Sequence, residues 1–211
     1  MNPATSNSAM SSPVTSIATS ELILGGQRSG KSRRAELLAR QWLDTKPGHQ
    51  AVLVATAQPW DDEMRLRIAR HQADRAERVP GMQTAEVPAE LGAAISRLSQ
   101  PDTLVVVDCL TLWLTNLLMP MASDDGQNAF TEQDNAPLAD APIQSLLQAL
   151  AQAAGPVVLV GNEIGMGVIP MGAQVRAFVD TLGRLNQDVA RACARVTLMA
   201  AGLPLTLKGH P

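Results

Sequence analysis

The sequence is poor in aromatic residues, with three Trp, two Phe and no Tyr among 211 residues. So few rings do not favour a surface that stacks several nucleic-acid bases. Basic residues do not compensate, because 17 Lys and Arg are outnumbered by 20 Asp and Glu, which gives a net charge of −3. We therefore expect no nucleic-acid partner.

Cysteines and long apolar runs are also scarce. The two cysteines, Cys109 and Cys193, supply neither a disulfide framework nor a four-ligand zinc motif. No apolar run approaches the ~20 residues of a membrane-spanning helix. We expect a cytoplasmic protein with no stable membrane insertion. Hydrophobic residues still make up 45% of the chain, enough for a sizeable core of aliphatic side chains.

Two stretches of low complexity flank or interrupt this apolar sequence. Residues 1–20 carry no charged side chain, so they lack the basic start of a secretory signal and the arginines of a transit peptide. We predict a disordered leader there. Residues 122–142 are acidic and loop-like, and we predict a flexible excursion within a single domain that spans 21–208.

Between these stretches, Val- and Leu-rich runs alternate with helical patterns. Strands are predicted over 21–25, 51–55, 84–87, 104–108, 157–161, 195–200 and 203–207, and helices over 30–44, 61–76, 89–98, 111–118, 143–153 and 173–192. This alternation is typical of an α/β protein with a mostly parallel sheet flanked by helices. Only Ala201 and Gly202 separate the last two strands, which favours a hairpin.

The sequence GGQRSGKS over residues 25–32 fits the phosphate-binding pattern G-x-x-x-x-G-K-[ST], with a strand before it and a helix after it. Glycines let the backbone N–H groups surround a phosphate at a helix N-terminus. Lys31 would reach the β- and γ-phosphates, and the Ser32 hydroxyl would bind Mg²⁺. The alternative is a glycine-containing turn with an incidental lysine. The flanking elements favour a nucleoside triphosphate site.

Asp108 and His71 are candidates for further chemistry. Asp108 ends a buried strand, where a P-loop enzyme holds Mg²⁺ through water, although an aspartate there could also cap the next helix. With the P-loop present, the magnesium role is favoured. His71 lies in a charged helix that leaves the same sheet edge. It is either a surface histidine or a nucleophile at phosphorus, while His49 and His210 are expected to be solvated.

A second glycine-rich loop, GNEIGMG over 161–167, follows another buried strand. Its Asn162 and Glu163 could line a substrate cleft, or Asn162 could cap a tight connection to the next helix. That helix carries Arg176, Arg184 and Asn186; arginine suits phosphate or carboxylate recognition, but it is also commonly solvated. Trp113 and Met119 are expected in the core or an interface.

Six segments follow one another in an order that resembles one family. They are GGQRSGKSRRAE, ATAQPWDDEMRLRIARHQADR, VVVDCLTLWLTNLL, NEIGMGVIP, GRLNQDVA and AGLPLTLKG. Together they resemble the bifunctional adenosylcobinamide kinase / adenosylcobinamide-phosphate guanylyltransferases of cobalamin biosynthesis. The resemblance covers about residues 21–208.

The resemblance implies a P-loop NTPase fold of the RecA-like type, a homotrimer, Mg²⁺ as cofactor and specific site residues. His71 corresponds to the histidine that carries GMP, and Lys31 to the lysine of the phosphate loop. Ser32 and Asp108 would bind Mg²⁺, the latter through water. The implied nucleotide contacts are Gly25, Gly26, Gln27, Arg28, Ser29, Gly30, Lys31, Ser32, Thr56, Ala57, Gln58, Gln72, Ala73, Asp74, Arg75, Glu86 and Asp108.

The implied activity has two parts. The kinase phosphorylates adenosylcobinamide with ATP or GTP, and the guanylyltransferase moves GMP from GTP through a histidine–GMP intermediate to adenosylcobinamide phosphate. The product is adenosylcobinamide-GDP. Two other functions fit the P-loop: a small-metabolite kinase without nucleotidyl transfer, and a non-catalytic nucleotide-binding module.

Overall fold

The computed structural model of the protein describes residues 16–119 and 135–210. Within them, seven strands form one sheet: β1 Ser20–Gly25, β2 Gln50–Ala55, β3 Gln83–Glu86, β4 Thr103–Asp108, β5 Val157–Val160, β6 Arg195–Ala200 and β7 Leu203–Lys208. Every predicted strand is confirmed within one residue at each end. The Val- and Leu-rich runs locate the strands well because both faces of the sheet are covered.

The strand order is β3-β2-β4-β5-β1-β6-β7. All neighbours are parallel except β6 and β7, which form the predicted antiparallel hairpin. The two residues between them have positive φ, 51° at Ala201 and 82° at Gly202, as a two-residue hairpin turn requires. The α/β class and the mostly parallel sheet are therefore confirmed. The carboxyl ends of β1, β2, β4 and β5 share one edge, which we call the carboxyl edge.

Six helices connect the strands of the described chain: α1 Lys31–Thr45, α2 Asp62–Arg78, α3 Leu91–Leu98, α4 Leu110–Leu118, α5 Asn135–Gln152 and α6 Ala173–Ala192. One prediction is wrong in its bounds. Residues 135–142, predicted as the end of the acidic excursion, are the first two turns of α5. Pro142 lies inside α5, and Ala139 is buried four residues before Ile143 in the same core cluster, so the apolar face begins earlier than predicted. Residues 120–134 of the predicted excursion lie outside the described residues.

The helices cover the two faces of the sheet unequally. Buried side chains of α3, α4, α5 and α6 form one large cluster with one face, and it includes the fully buried Trp113. On the other face, Ala35 and Leu38 of α1 pack with Val79, the residue after α2. The sides of the carboxyl edge therefore differ: α1 and α2 lie on one side, and α6 lies on the other.

The described residues include contacts that lie before the predicted boundary at residue 21. Ser20 is the first residue of β1, and the Ser16 carbonyl accepts a hydrogen bond of 2.7 Å from the Arg195 guanidinium. Ile17 packs against the smaller core cluster. The remainder of the predicted leader, residues 1–15, lies outside the described residues.

Candidate nucleotide-binding site

The P-loop connects β1 to α1 at the carboxyl edge. Gly25 has φ 152° and Gly30 has φ 101°, conformations that side chains rarely adopt. A Cβ at Gly25 would lie 2.6 Å from the Met199 carbonyl oxygen, so the loop can approach β6 only with glycine there. The Gly202 N–H donates to the Ser29 carbonyl at 3.1 Å. Contacts from β6 and the hairpin turn therefore support the shape of the loop.

Lys31 is the first residue of α1, and its ammonium group folds back over the loop. Its Nζ donates to the Gly26 carbonyl at 2.6 Å, and the side chain is buried. Burial lowers the pKa of Lys31 from its ordinary value of 10.5, while the charge of Asp108 opposes the shift and that of Arg67 adds to it. The lysine is thus held among loop carbonyls and ionised side chains, where a phosphate would stabilise its charged form.

Asp108 lies at the end of β4, half-buried and in register with Ala55 of β2 and Val160 of β5. The N-cap of α4 is Cys109, so the alternative that Asp108 caps this helix is wrong. The carboxylate lies close enough to Lys31 for its charge to raise the pKa of that lysine. Asp108 is therefore positioned on the nucleotide side of the sheet.

The side-chain donors at the P-loop fit Mg²⁺ that is bound together with a nucleotide better than they fit a metal ion that is held by protein ligands alone. In the described ranges, no three His, Cys, Asp or Glu side chains cluster as a metal site. Ser32 and Asp108 supply oxygen atoms, the donors that Mg²⁺ prefers, and such sites take their other ligands from water and phosphates. The Ser29 hydroxyl, also in the loop, is buried without a hydrogen-bond partner in the described chain. This polar loop suits a metal-bound triphosphate.

The segment after β2 is bound tightly to the start of α4. Thr56 is fully buried, and its hydroxyl donates to the Cys109 carbonyl at 2.8 Å and accepts from the Cys109 N–H at 2.9 Å. Asn116 donates to the Thr56 carbonyl at 2.7 Å. Of the three predicted contacts here, Ala57 and Gln58 are partly exposed at the carboxyl edge, whereas Thr56 holds the segment in place.

Helix α2 carries His71 and approaches the P-loop from the side of α1. It begins at an N-cap, Asp61, whose carboxylate accepts from the Met64 N–H at 2.7 Å. Arg67 lies close enough to affect the pKa of Lys31. Because residues four apart share a helix face, exposed His71 lies one turn along the same side as Arg67. His71 therefore lies on a helix that contacts the P-loop helix α1 through the 2.8 Å ion pair of Arg78 with Glu36.

The other predicted contacts are spread more widely. Gln72 and Ala73 are exposed on α2, Arg75 is buried, and Asp74 forms an ion pair of 3.2 Å with Arg78. Glu86 is exposed at the end of β3, four strand positions from β1, about 19 Å at the usual strand spacing. The structure does not bring Glu86 beside the P-loop, so only a far part of an extended nucleotide could reach it.

The loop after β5 is longer than the tight connection considered above. Residues 161–172 separate β5 from α6, whose N-cap is Gly172, so the alternative that Asn162 caps this helix is wrong. The Glu163 N–H donates to the Gly25 carbonyl at 3.2 Å. Beyond Glu163, the loop and α6 border an open pocket of about 770 Å³. The loop that forms one wall of this pocket therefore begins in direct contact with the P-loop.

Sequence reasoning missed two functional features of this edge. Arg67 was not singled out, although its i, i+4 spacing from His71 could have indicated a shared face. The link between Glu163 and Asn186, whose Nδ2 lies 3.4 Å from Glu163 Oε2, joins residues far apart in sequence. No local pattern indicates such a contact. As to membranes, no helix of the described chain is both long and apolar enough to cross one.

The P-loop with Lys31 and Asp108 identifies a nucleotide-binding P-loop protein whose site lies at the carboxyl edge of a mostly parallel sheet. Residues 21–207 match the model of the family described as cobinamide kinase / cobinamide phosphate guanyltransferase. The chain belongs to this family, and the resemblance stated from its motifs is confirmed.

The relatives agree with this assignment over nearly their whole length. The bifunctional adenosylcobalamin biosynthesis protein CobP of Pseudomonas aeruginosa is 44% identical, over 90% of this chain and 98% of that protein. The proteins named CobU from Escherichia coli and Salmonella typhimurium are 36% and 35% identical, each over 89% of this chain and 98% of theirs. Among solved structures, flagellar accessory protein FlaH from Methanocaldococcus jannaschii aligns with a TM-score of 0.48 at 10% identity, over 92% of this chain and 80% of that one.

Proposed function

We propose that this protein phosphorylates adenosylcobinamide with ATP or GTP and then transfers GMP from GTP to adenosylcobinamide phosphate, forming adenosylcobinamide-GDP. One observation supports the proposal within the family: α2, which carries His71, is joined to α1, which starts in the P-loop, by an ion pair of 2.8 Å between Arg78 and Glu36. A nucleophile and a phosphate cradle thus belong to one site.

The residues take distinct roles in the two reactions. The P-loop backbone and Lys31 hold the triphosphate in both, and their charge stabilises the phosphoryl group as it is transferred. In the second reaction, the imidazole of His71 attacks the α-phosphorus of GTP, a P–N bond forms, and pyrophosphate leaves with the bonding pair of the broken P–O bond. A covalent intermediate divides the GMP transfer into two displacements.

The finer features of the proposal are Mg²⁺, a homotrimer and a cytoplasmic site of action. Ser32 and Asp108 would hold Mg²⁺, which supplies charge neutralisation on the phosphates. Self-association is supported by β7, an edge strand whose Leu203, Leu205 and Leu207 are 71%, 56% and 56% exposed. An apolar stripe on a sheet edge is commonly covered in an assembly. Light scattering of the purified protein measures the assembly size.

The test is covalent labelling with GTP that carries radioactive phosphorus at the α-position, in the presence of Mg²⁺. We expect label that is labile in acid and stable in alkali, as a phosphoramidate is, on the wild type and none on His71→Ala. The kinase activity of His71→Ala should persist, whereas Lys31→Ala should reduce both activities. The matched control is His49→Ala, since His49 stacks on Trp42 before β2 at the opposite edge of the sheet.

Each alternative function gives a different outcome. A small-metabolite kinase without nucleotidyl transfer would consume ATP with an acceptor but acquire no label. A nucleotide-binding module would bind GTP without either transfer. Label that persists on His71→Ala would remove His71 from the mechanism.

A further inference from the structure

The pocket between residues 161–172 and α6 is not used by the nucleotide roles described above. It is an open cleft of about 770 Å³, within the range of roughly 300–1,000 Å³ that is usual for small-molecule sites. One wall is the loop and the other is α6. The residues that matter are Ile164, Val168 and Ile169 on the loop, and Arg176, Gly183 and Arg184 on the helix.

The pocket lies beyond the carboxyl edge, next to the P-loop. Asn186 of α6 donates to the Asn162 carbonyl at 3.1 Å, which places this part of α6 level with the end of β5. Arg176 is ten residues earlier, about 15 Å along the helix axis at 1.5 Å per residue. The first half of α6 therefore projects past the sheet on the side where the P-loop opens.

Glu163 connects the pocket to the P-loop. Its N–H donates to the Gly25 carbonyl, and its Oε1 accepts from the N–H of Gly165 at 3.3 Å. Gly165 lines the pocket, so one residue, Glu163, spans the distance between the phosphate loop and the pocket wall. Two hydrogen bonds of Glu163 therefore connect the pocket wall to the P-loop.

The two walls have different chemistry. On the loop, Val168 and Ile169 are 95% and 77% exposed, an apolar surface that offers nothing to a triphosphate. On the helix, Arg176 and Arg184 line the same space with Asp180 between them, and Arg176 also donates to the Pro170 and Met171 carbonyls at 3.1 and 2.6 Å. The pocket therefore suits a ligand with a broad apolar face and a polar rim that includes hydrogen-bonding and anionic groups.

We infer that this pocket, the acceptor pocket, binds the corrinoid acceptor of both reactions, with the ring against the loop and the phosphorylated arm directed past Glu163 to the P-loop. The inference rests on the proposed function. A corrin ring has alkyl-covered faces and an amide-bearing rim, the chemistry of the two walls. The arm carries a hydroxyl before the first reaction and a phosphate after it, and guanidinium groups favour the phosphate.

The position of the pocket also fits the direction of attack. Helix α2 with His71 lies on the α1 side of the sheet, and α6 lies on the other side. An acceptor from the pocket would reach the phosphorus of histidine-bound GMP opposite the imidazole, as an in-line displacement requires. A phosphate oxygen of the acceptor then forms the new P–O bond, and the P–N bond breaks with its electron pair returning to the imidazole.

Gly183 allows the pocket to be filled without disturbing the fold. It is helical, and a Cβ there meets no atom within 4 Å. Phenylalanine is also a better helix former than glycine. The matched control is Gln174→Phe, because Gln174 is exposed and lies nine residues earlier, half a turn away around the helix axis.

The experiment measures kinase turnover with adenosylcobinamide and, separately, labelling by GTP without any corrinoid. We expect Gly183→Phe to lower kcat/KM for adenosylcobinamide by at least about tenfold, mainly through KM, and Gln174→Phe to stay within about twofold of wild type. Label from GTP should still appear on Gly183→Phe, since that reaction needs no acceptor. A direct titration with adenosylcobinamide should show the same loss of affinity.

Suppose that the wild type is labelled by GTP and phosphorylates adenosylcobinamide. Equal KM values for adenosylcobinamide in Gly183→Phe and Gln174→Phe would then refute the inference that the acceptor pocket binds the corrinoid. A wild type that does neither would instead overturn the proposed function. If circular dichroism shows that Gly183→Phe is unfolded, the double variant Val168→Ser/Ile169→Ser decides. Its side chains are exposed, so it should fold, and an unchanged KM for adenosylcobinamide would refute the inference.

Discussion

Glu21 provides the sharpest test of what holds the P-loop strand in place. Its carboxylate is 1% exposed in β1, four residues before the P-loop begins. It accepts hydrogen bonds from Thr197 Oγ1 at 2.8 Å and from Arg34 Nε at 3.1 Å, and it lies 3.4 Å from Arg195 Nη1. One carboxylate thus pairs with two arginines, on α1 and β6, and we predict that Glu21→Gln is strongly destabilising.

The size of the stability loss in Glu21→Gln depends on which arginines are left without a charged partner. Removing one member of a buried ion pair typically costs about 3–5 kcal/mol, because the other charge stays buried. Arg34 is 15% exposed and can regain water, whereas Arg195 is 4% exposed and retains only its bonds to Ser16. We therefore expect the lower end of that range, about 3 kcal/mol of unfolding free energy. Divided by a urea slope of about 2–3 kcal/mol/M, this is a midpoint shift of about 1–1.5 M.

The assay is urea unfolding followed by circular dichroism. The matched control is Asp44→Asn, which breaks the exposed i,i+4 pair of Arg40 and Asp44 at 3.0 Å. Because exposed pairs contribute about 0.5 kcal/mol or less, the control midpoint should move by no more than about 0.2 M. The double variant Glu21→Gln/Arg195→Met should recover at least about 1 kcal/mol, since it removes the uncompensated charge with its partner.

Two results would refute this reasoning. A Glu21→Gln midpoint as close to wild type as that of the Asp44→Asn control would mean that Arg195 is not held by Glu21. If the double variant lost as much unfolding free energy as Glu21→Gln and Arg195→Met lose together as single variants, the loss would come from packing and not from an unpaired charge.

Two further predictions concern the protonation of buried groups. Because burial lowers the pKa of Lys31, this side chain loses its charge on rising pH before the ordinary value of 10.5 is reached, and nucleotide affinity should fall as the pH rises through the lowered pKa. In calorimetric titrations at increasing pH, Lys31→Arg should lack this decline because arginine stays charged. Affinities of wild type and Lys31→Arg that change in parallel with pH would contradict the prediction. Burial raises the pKa of both Cys109 and Cys193 to about 12, so a thiol reagent at pH 8 should react slowly with the native protein and rapidly in urea; equal rates would contradict the burial.

The strands were predictable because a sheet that is covered on both faces demands nearly continuous apolar residues. The P-loop was predictable because a backbone wrapped around phosphate demands glycine at fixed places, as Gly25 and Gly30 show with φ of 152° and 101°. In both, the physical requirement acts on neighbouring residues, so it leaves a local pattern in the sequence.

What could not be predicted depends on residues that are distant in sequence. In the sequence, Glu21 is the first residue of a predicted apolar strand. Its burial as a charged residue depends on Arg195, which β6 brings beside it. The early start of α5 was hidden by Pro142, since a proline marks a helix start more often than a helix interior. The pocket behind Glu163 requires both a loop and the projecting half of α6, and neither segment indicates it alone.

The two walls of the candidate site differ in how firmly they are held. Helix α6 buries Phe178, Leu182, Leu185 and Val189 in the large core cluster, so its face of the acceptor pocket is fixed. Helix α2 buries a single side chain, Arg75, and even Leu66 is 73% exposed. Since the free energy of local displacement scales with the apolar contacts that are broken, α2 can move at far lower cost than α6. In the mechanism proposed above, His71 reaches the α-phosphorus of GTP in only one of the two reactions, and it lies on the helix that can move at lower cost than α6.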